Sequence, residues 1–233
     1  ALQATVQRRF IEGFQVSGGY TWSKAMSNGG TRPRFRDARI WSYGKTGDDR
    51  THVLTINFTY DVPKLSRFVP NPVVRAIADD WQLSGIASFV SGAPSGISFT
   101  TVSGADLTGG GDGQRVVLLG PIVLSDKSFS QWFNTQNVGL PAKGEYGNAA
   151  VDVFRGPGTN NWDLTAFKNI KIKEKANFQL RWEAYNVFNH TQWSSVNSAA
   201  RFDNSGKQVN ALFGTVTATR APRVMQGSLR FQF

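Results

Sequence analysis

Apolar and polar residues alternate at a period of two along several segments of this chain. The clearest case is RTHVLTINFTYDVP, where one face is apolar or aromatic and the other is polar apart from Val53; the first face carries His52, Leu54, Ile56, Phe58, Tyr60 and Val62. FQVSGGYTWSK and NFQLRWEAYNVF repeat the pattern. Strict alternation predicts β-strands with one apolar face. The segments have the length of tilted strands that cross a bilayer, roughly 9–11 residues.

Seven strands are predicted in this way, at about 2–10, 13–26, 50–62, 81–99, 162–173, 177–190 and 223–233. Their connections alternate in length: IEG and EKA are short, whereas long loops occupy about 27–49, 100–161 and 191–222. Tight turns at one end and extended loops at the other are typical of outer-membrane barrels. We predict an all-β fold in which antiparallel up-and-down strands, about seven or eight, form a single segment of an outer-membrane-type β-barrel over residues 1–233. FGTVTATR, residues 213–220, is the candidate eighth strand.

One or two short helices are expected in the connections. In NPVVRAIADD, Asn71 is suited to cap a helix that has Pro72 at its first position. In SDKSFSQWFN, Ser125 or Asp126 could cap a helix that presents three aromatic side chains together, Phe129, Trp132 and Phe133.

Composition limits the chemistry. The 40% of hydrophobic residues excludes a disordered chain, and the 24 glycines and 9 prolines favour strands and turns. The absence of cysteine excludes disulfides, and the only two histidines, His52 and His190, lie on different strands, so we expect no metal and no cofactor. No phosphate-binding loop, no GxSxG motif and no nucleic-acid-binding motif occurs. We therefore expect no nucleic-acid partner.

The formal charge of +10 is concentrated in part in RPRFRDAR, which contains Arg34 and Arg36. On a cell surface such a basic run would meet lipopolysaccharide phosphates or attract an anionic ligand. An ordinary solvated loop is the alternative for the same residues.

The stretch NWDLTAFKNIKIKEKANFQLRWEAYNVFNHTQW resembles the closing hairpin of TonB-dependent outer-membrane receptors, in particular the Oar-like type with a carboxypeptidase-regulatory-like domain. GGYTWSKAMS, DDRTHVLTINFTYDVP, WQLSGIASFVSGAP and FGTVTATRAPRVMQGSLRFQF resemble the other strands of that family in the same order. The resemblance implies a barrel of about 22 strands around a plug. This chain would supply the carboxy-terminal third of the barrel.

The resemblance also implies a function, which is ligand binding at the loops and uptake across the bacterial outer membrane. We expect ligand contacts from eight residues, the last two of which belong to a hydrated barrel wall: Trp132, Phe133, Tyr146, Trp162, Arg34, Arg36, Arg181 and Glu183. The terminal pattern resembles the signal read by the barrel-assembly machinery, through Met225, Gly227, Leu229, Phe231 and Phe233. The other expected partners are outer-membrane lipid and lipopolysaccharide, and the remaining barrel and plug of the receptor. The TonB complex is also expected as a partner, and it would bind the receptor through the missing amino-terminal part.

Two alternatives remain open at this point. The chain could be an independently folded β-barrel enzyme, for example a hydrolase, or a ligand-binding module derived from such a barrel, although we expect a receptor rather than an enzyme. An open sheet cannot lie in a bilayer alone, because unpaired backbone groups cost several kcal/mol each in hydrocarbon. Closure requires the rest of a barrel, further copies, or the eighth strand.

Overall fold

The computed structural model describes residues 1–29, 37, 41–109, 113–173 and 176–232. Seven long strands in these residues form one antiparallel sheet in which each strand pairs with the next along the chain. They are β1 (Leu2–Ile11), β2 (Phe14–Trp22), β3 (His52–Asp61), β4 (Trp81–Val90), β5 (Thr159–Lys173), β6 (Ala176–Tyr185) and β7 (Val224–Gln232). The predicted all-β, up-and-down fold is confirmed.

The strand register aligns the apolar side chains of neighbouring strands on one face of the sheet. Val16 lies opposite Phe58 across β2 and β3, Leu54 opposite Phe89 across β3 and β4, and Leu180 opposite Leu229 across β6 and β7. Leu229 is 65% exposed, so water would meet this face if lipid did not. The other face is largely polar and holds the alternate residues. We call these the apolar face and the polar face.

Aromatic side chains gather near both ends of the apolar face. Toward the long loops, the Trp162 ring makes edge-to-face contacts with Phe89 and Phe188, with ring centres 5.7 and 5.8 Å apart. Toward the short turns, the rings of Phe178 and Phe231 lie 4.8 Å apart. Two aromatic belts flanking an apolar band are the expected arrangement of a barrel surface at the two lipid–water boundaries.

The connections at one end of the sheet are compact. Glu12 and Gly13 join β1 to β2 with positive φ angles of 53° and 79°, the conformation of a two-residue hairpin turn. Between β3 and β4 lie a 3₁₀ turn (Leu65–Arg67) and helix α1 (Pro72–Ala78), which is capped by Asn71 Oδ1 accepting from the Val73 N–H at 2.8 Å. The predicted helix is therefore confirmed. The turn at 174–175 lies outside the described residues.

Several predictions of local structure are wrong, and the first is the end of β2, which lies at Trp22 rather than near 26. β4 ends at Val90 rather than near 99, since Gly92 and Pro94 follow it, and β6 ends at Tyr185, where Asn186 turns the chain with φ of 51°. The predicted helix near 125 does not form; the Ser128 hydroxyl instead accepts from the Gln131 N–H at 3.0 Å, a local bond that competes with helix. A 3₁₀ turn follows at Thr135–Asn137.

Residues 213–220 do not provide an eighth strand for the sheet. Val216–Thr219 pairs instead with Trp193–Val196. The other short strand pairs of the described residues also lie in the loops: Met26–Ser27 with Gly44–Lys45, Pro94–Ser95 with Phe154–Arg155, Val117–Leu118 with Val138–Gly139, and Ser98–Thr101 with Ala199–Phe202. The last pair is parallel and joins two different loops. We call the connections 23–51, 91–158 and 186–223 the first, second and third loops.

Candidate functional site

The second and third loops share a hydrophobic core. Twelve of the fourteen buried apolar side chains in the described residues belong to these loops, and the other two are the strand residues Ala87 and Ala184. Phe133, which has no exposed surface, packs against Phe154 and Phe213 with ring centres 4.7 and 5.2 Å apart. The loops are therefore a folded module placed at the long-loop end of the sheet.

A buried ion pair fastens the first loop to this module. Asp49 is 1% exposed, and its Oδ2 accepts from Arg155 Nη2 at 2.5 Å, while its Oδ1 accepts from the Ala25 N–H at 2.7 Å. Arg155 also donates to the Thr51 hydroxyl at 2.5 Å and to the Gly92 carbonyl at 2.8 Å. One guanidinium thus binds the end of the first loop and the start of the second, and Asp49 links it to Ala25 at the start of the first loop.

The electrostatics of this pair favour the ionised carboxylate. Burial alone raises the pKa of Asp49, but the hydrogen bonds from Arg155 and Ala25, together with the charge of Arg155, outweigh it. The net pKa of Asp49 lies below its ordinary value of 3.8. The loops are accordingly fastened by a charge pair at neutral pH.

Two further contacts tie the first loop to the second. Lys45 Nζ lies 3.1 Å from an Asp152 carboxylate oxygen, which also accepts from the Lys45 N–H. Arg115 donates to the Trp41 carbonyl at 2.5 Å, and its guanidinium lies 4.3 Å from the centre of the Trp41 ring. Burial lowers the pKa of Arg115, yet contact with an indole face suits a partly dehydrated guanidinium.

The loops also border an open surface pocket of about 380 Å³. Two indoles, Trp132 and Trp193, contribute to its wall with ring centres 5.6 Å apart. We call it the loop cavity, and its lining is Trp132, Pro157, Gly158, Thr159, Asn160, His190, Thr191, Gln192 and Trp193. A concave site with aromatic walls and a few amide, hydroxyl and imidazole groups is suited to a small polar ligand that has an apolar face.

The two adjacent aromatic residues predicted to contact ligand differ in position. Trp132 lines the loop cavity, donates through Nε1 to the Arg155 carbonyl at 2.7 Å, and has the Lys127 ammonium 5.0 Å from its ring centre. Phe133 is wholly buried in the loop core and has no surface through which to touch a ligand. Trp132 is thus the better placed of the two.

The other two predicted aromatic contacts lie apart from the loop cavity wall. Tyr146 packs edge-to-face on Trp41, with ring centres 6.1 Å apart. Trp162 lies on the apolar face within an aromatic belt, although its Nε1 donates to Asn160, a cavity residue, at 3.1 Å. Arg34 and Arg36 lie outside the described residues.

Arg181 and Glu183 lie together on the polar face of β6. Arg181 donates to one Glu183 oxygen, and Gln226 of β7 donates to the other. Met225, Gly227, Leu229 and Phe231 all lie on the apolar face of β7, whereas Phe233 lies outside the described residues. The structure thus places both groups on the faces that their alternation predicts.

Sequence reasoning missed the residues that assemble the loops. Asp49 and Arg155 are 106 positions apart, and neither stands in a motif. His190, Gln192 and Trp193 follow β6 in the stretch HTQW, where only the aromatic ring is a signal for a binding surface. His52 has a separate role, since its Nδ1 is 2.7 Å from the Tyr20 hydroxyl.

Other site types find no support in the described residues. Within the described ranges, no three histidine or acidic side chains are grouped so that they could hold a metal ion. None of the described helices has both the length and the apolar character needed to cross a membrane.

Comparison with known families agrees with the geometry. A family model described as an outer membrane beta barrel domain matches residues 1–226. Comparisons with curated proteins and with solved structures found no match. The match covers the first six strands and the first three residues of β7. The apolar face with its two aromatic belts is the surface that such a barrel turns to lipid. The chain belongs to the outer membrane β-barrel domain family.

Proposed function

We propose that this chain is the carboxy-terminal part of the barrel of a TonB-dependent outer-membrane receptor, which binds a ligand at its loops and passes it inward. The observation that carries the proposal is the folded loop module, in which the second and third loops share a core and Asp49 and Arg155 fasten the first. A simple diffusion channel has no need for such a preformed surface. A receptor does need a preformed surface, because ordered loops lower the entropic cost of binding a ligand.

In this proposal the polar face forms part of the hydrated interior wall. Arg181, Glu183 and Gln226 bind one another there, so the charges of Arg181 and Glu183 are paired with each other in a polar wall. The sheet is open, and β1 and β7 each pair with one neighbour in the described residues. The remaining receptor barrel would complete it, with the plug inside and the TonB complex acting on the plug.

The ligand surface of the proposal centres on the loop cavity. Its indoles offer flat apolar contact, and His190 and Asn160 offer hydrogen bonds. This chemistry suits a short oligosaccharide, a peptide or a siderophore. Arg34 and Arg36 stay predicted contacts for lipopolysaccharide or an anionic ligand.

The test is uptake by cells that produce the intact protein, with fluorescent maltotriose, a fluorescent tetrapeptide and a ferric catecholate as probes. We expect accumulation of one probe that stops when a protonophore collapses the proton gradient, and that needs about tenfold more probe in Trp193→Ala, a loss of about 1.4 kcal/mol. Trp22→Ala, on the apolar face, is the control and should change nothing. Uptake that continues after collapse of the gradient would identify a passive channel and contradict the proposal.

A further inference from the structure

The connection between β3 and β4 exposes an unusual amount of apolar surface. Within residues 64–78, which we call the interface segment, five large apolar side chains are about half exposed or more: Leu65 at 48%, Phe68 at 79%, Val69 at 47%, Val73 at 62% and Ile77 at 66%. Contiguous exposed apolar groups mark an interaction surface. We propose that the interface segment lies in the lipid–water boundary at the short-turn end of the barrel, with these side chains among the acyl chains.

The segment is anchored on the lipid side of the sheet. Trp81 and Lys168 are register partners on the apolar face of β4 and β5. Trp81 Nε1 donates to the Ile77 carbonyl at 2.8 Å, and Lys168 Nζ donates to the Asp79 carbonyl at 2.6 Å. The apolar side chains of the segment are therefore continuous with the face that the barrel already turns to lipid, and not with its polar interior.

Hydrogen bonds give the segment a defined shape. The Asp79 carboxylate accepts from both the backbone N–H and the hydroxyl of Ser66, which joins the two ends of the segment. Lys64 Nζ lies 3.3 Å from an Asp80 oxygen. Val73 and Ile77 are four residues apart on α1 and so project from the same side. The exposed side chains thus form a preformed surface rather than an unstructured loop.

The charge of the segment selects a lipid surface as its occupant. Residues 64–78 contain three basic residues, Lys64, Arg67 and Arg75, and two acidic residues follow the segment directly. Because Lys64 pairs with Asp80, the basic groups offered to lipid headgroups are Arg67 and Arg75. A short amphipathic helix that combines bulky apolar groups with basic ones binds at the headgroup boundary, and anionic lipids strengthen that binding. This inference depends on the membrane location of the barrel and not on ligand uptake, so failure of the uptake test would leave it standing.

Because these 233 residues contain no cysteine, a cysteine introduced among them can be labelled specifically once any cysteine elsewhere in the intact protein is replaced by serine. Phe68→Cys and Ile77→Cys are each labelled with an NBD fluorophore in the intact protein, reconstituted in vesicles of phosphatidylethanolamine and phosphatidylglycerol. The matched control is Leu119→Cys in the second loop, which is 69% exposed and carries the same label. All three replaced side chains are exposed, so the substitutions remove little packing.

We expect blue-shifted NBD emission at positions 68 and 77, and loss of most of that emission when doxyl-labelled phospholipid is included, with neither effect at position 119. Quenching at 68 and 77 no greater than at 119 would overturn the proposal. A blue shift without doxyl quenching would overturn it as well, because it would show that protein rather than lipid covers the segment. Arg67→Gln with Arg75→Gln should reduce the quenching; an unchanged value would refute the contribution of the headgroups.

Discussion

Removal of the Arg155 guanidinium should open the loops without unfolding the sheet. In Arg155→Met, Asp49 keeps its charge at 1% exposure but loses its cation, and the Thr51 hydroxyl and the Gly92 carbonyl lose a donor. Removal of one partner of a buried ion pair costs about 3–5 kcal/mol. Because the Arg155 side chain is itself 27% exposed, we expect the lower end, about 3 kcal/mol, or roughly 100-fold in the opening equilibrium.

Amide hydrogen exchange of the intact protein in detergent measures this opening residue by residue. The informative amides are Ala25, which donates to Asp49, and Gly156, which donates to the Ala93 carbonyl at 2.9 Å. Their protection should fall roughly 100-fold in Arg155→Met, while strand amides of β3 and β4 stay protected. Protection that changes by less than about threefold would refute the view that this ion pair holds the loops together.

A second ion pair supplies the control. Lys45→Met breaks the contact with Asp152. The side chain of Lys45 is 31% exposed and that of Asp152 is 13% exposed. A pair that water reaches contributes little, so the expected loss is below about 1 kcal/mol. The double variant Asp49→Asn with Arg155→Met should lose less protection than Arg155→Met alone, since no buried charge is then left without a partner.

Three other results are expected. Because the pKa of Asp49 is lowered in the folded state, its contribution to stability is full above the ordinary pKa and is lost as pH falls through the folded-state pKa. Pepsin should therefore cut the loops progressively below about pH 4, and cutting should depend less on pH in Asp49→Asn, where no carboxylate is left to titrate. Gly85→Ala would place a Cβ 2.6 Å from the Phe58 ring and should cost about 1–3 kcal/mol in urea unfolding, unlike Gly19→Ala, which meets open space. Phe231→Asp should reduce the amount of folded, heat-modifiable barrel in outer membranes.

The strands were predictable because alternation is a local property. Each of the seven segments contains its own period-two pattern, and the lipid-facing assignment of Leu54 or Leu229 needs no knowledge of distant residues. Strand ends were harder to predict. The alternation of Ile97 and Phe99 continues beyond Val90, but these side chains pack on the loop core, and Ser98–Thr101 pairs with Ala199–Phe202 instead.

The loop module could not be predicted, since its contacts join residues far apart in the chain. The spacing of Phe129, Trp132 and Phe133 suggested a helix, yet the same spacing arises in an irregular segment that buries the second and third and leaves Phe129 59% exposed. Nothing near Asp49 in the sequence indicates Arg155 as its partner. The loop cavity depends on the same long-range assembly, because Trp132 and Trp193 come from different loops.

The distribution of apolar side chains explains why this chain needs water around its loops and lipid around its strands. The loops bury Phe133, Phe202 and Phe213 in a core that water surrounds. Among the residues of β1–β7 whose burial the structure describes, the buried apolar ones are alanines, and larger side chains such as Leu229 are exposed. Lipid can cover the apolar face, but it offers no hydrogen bonds to the free edges of β1 and β7. Each unpaired backbone group there would cost several kcal/mol, so strand partners must complete the sheet before it is stable in a membrane.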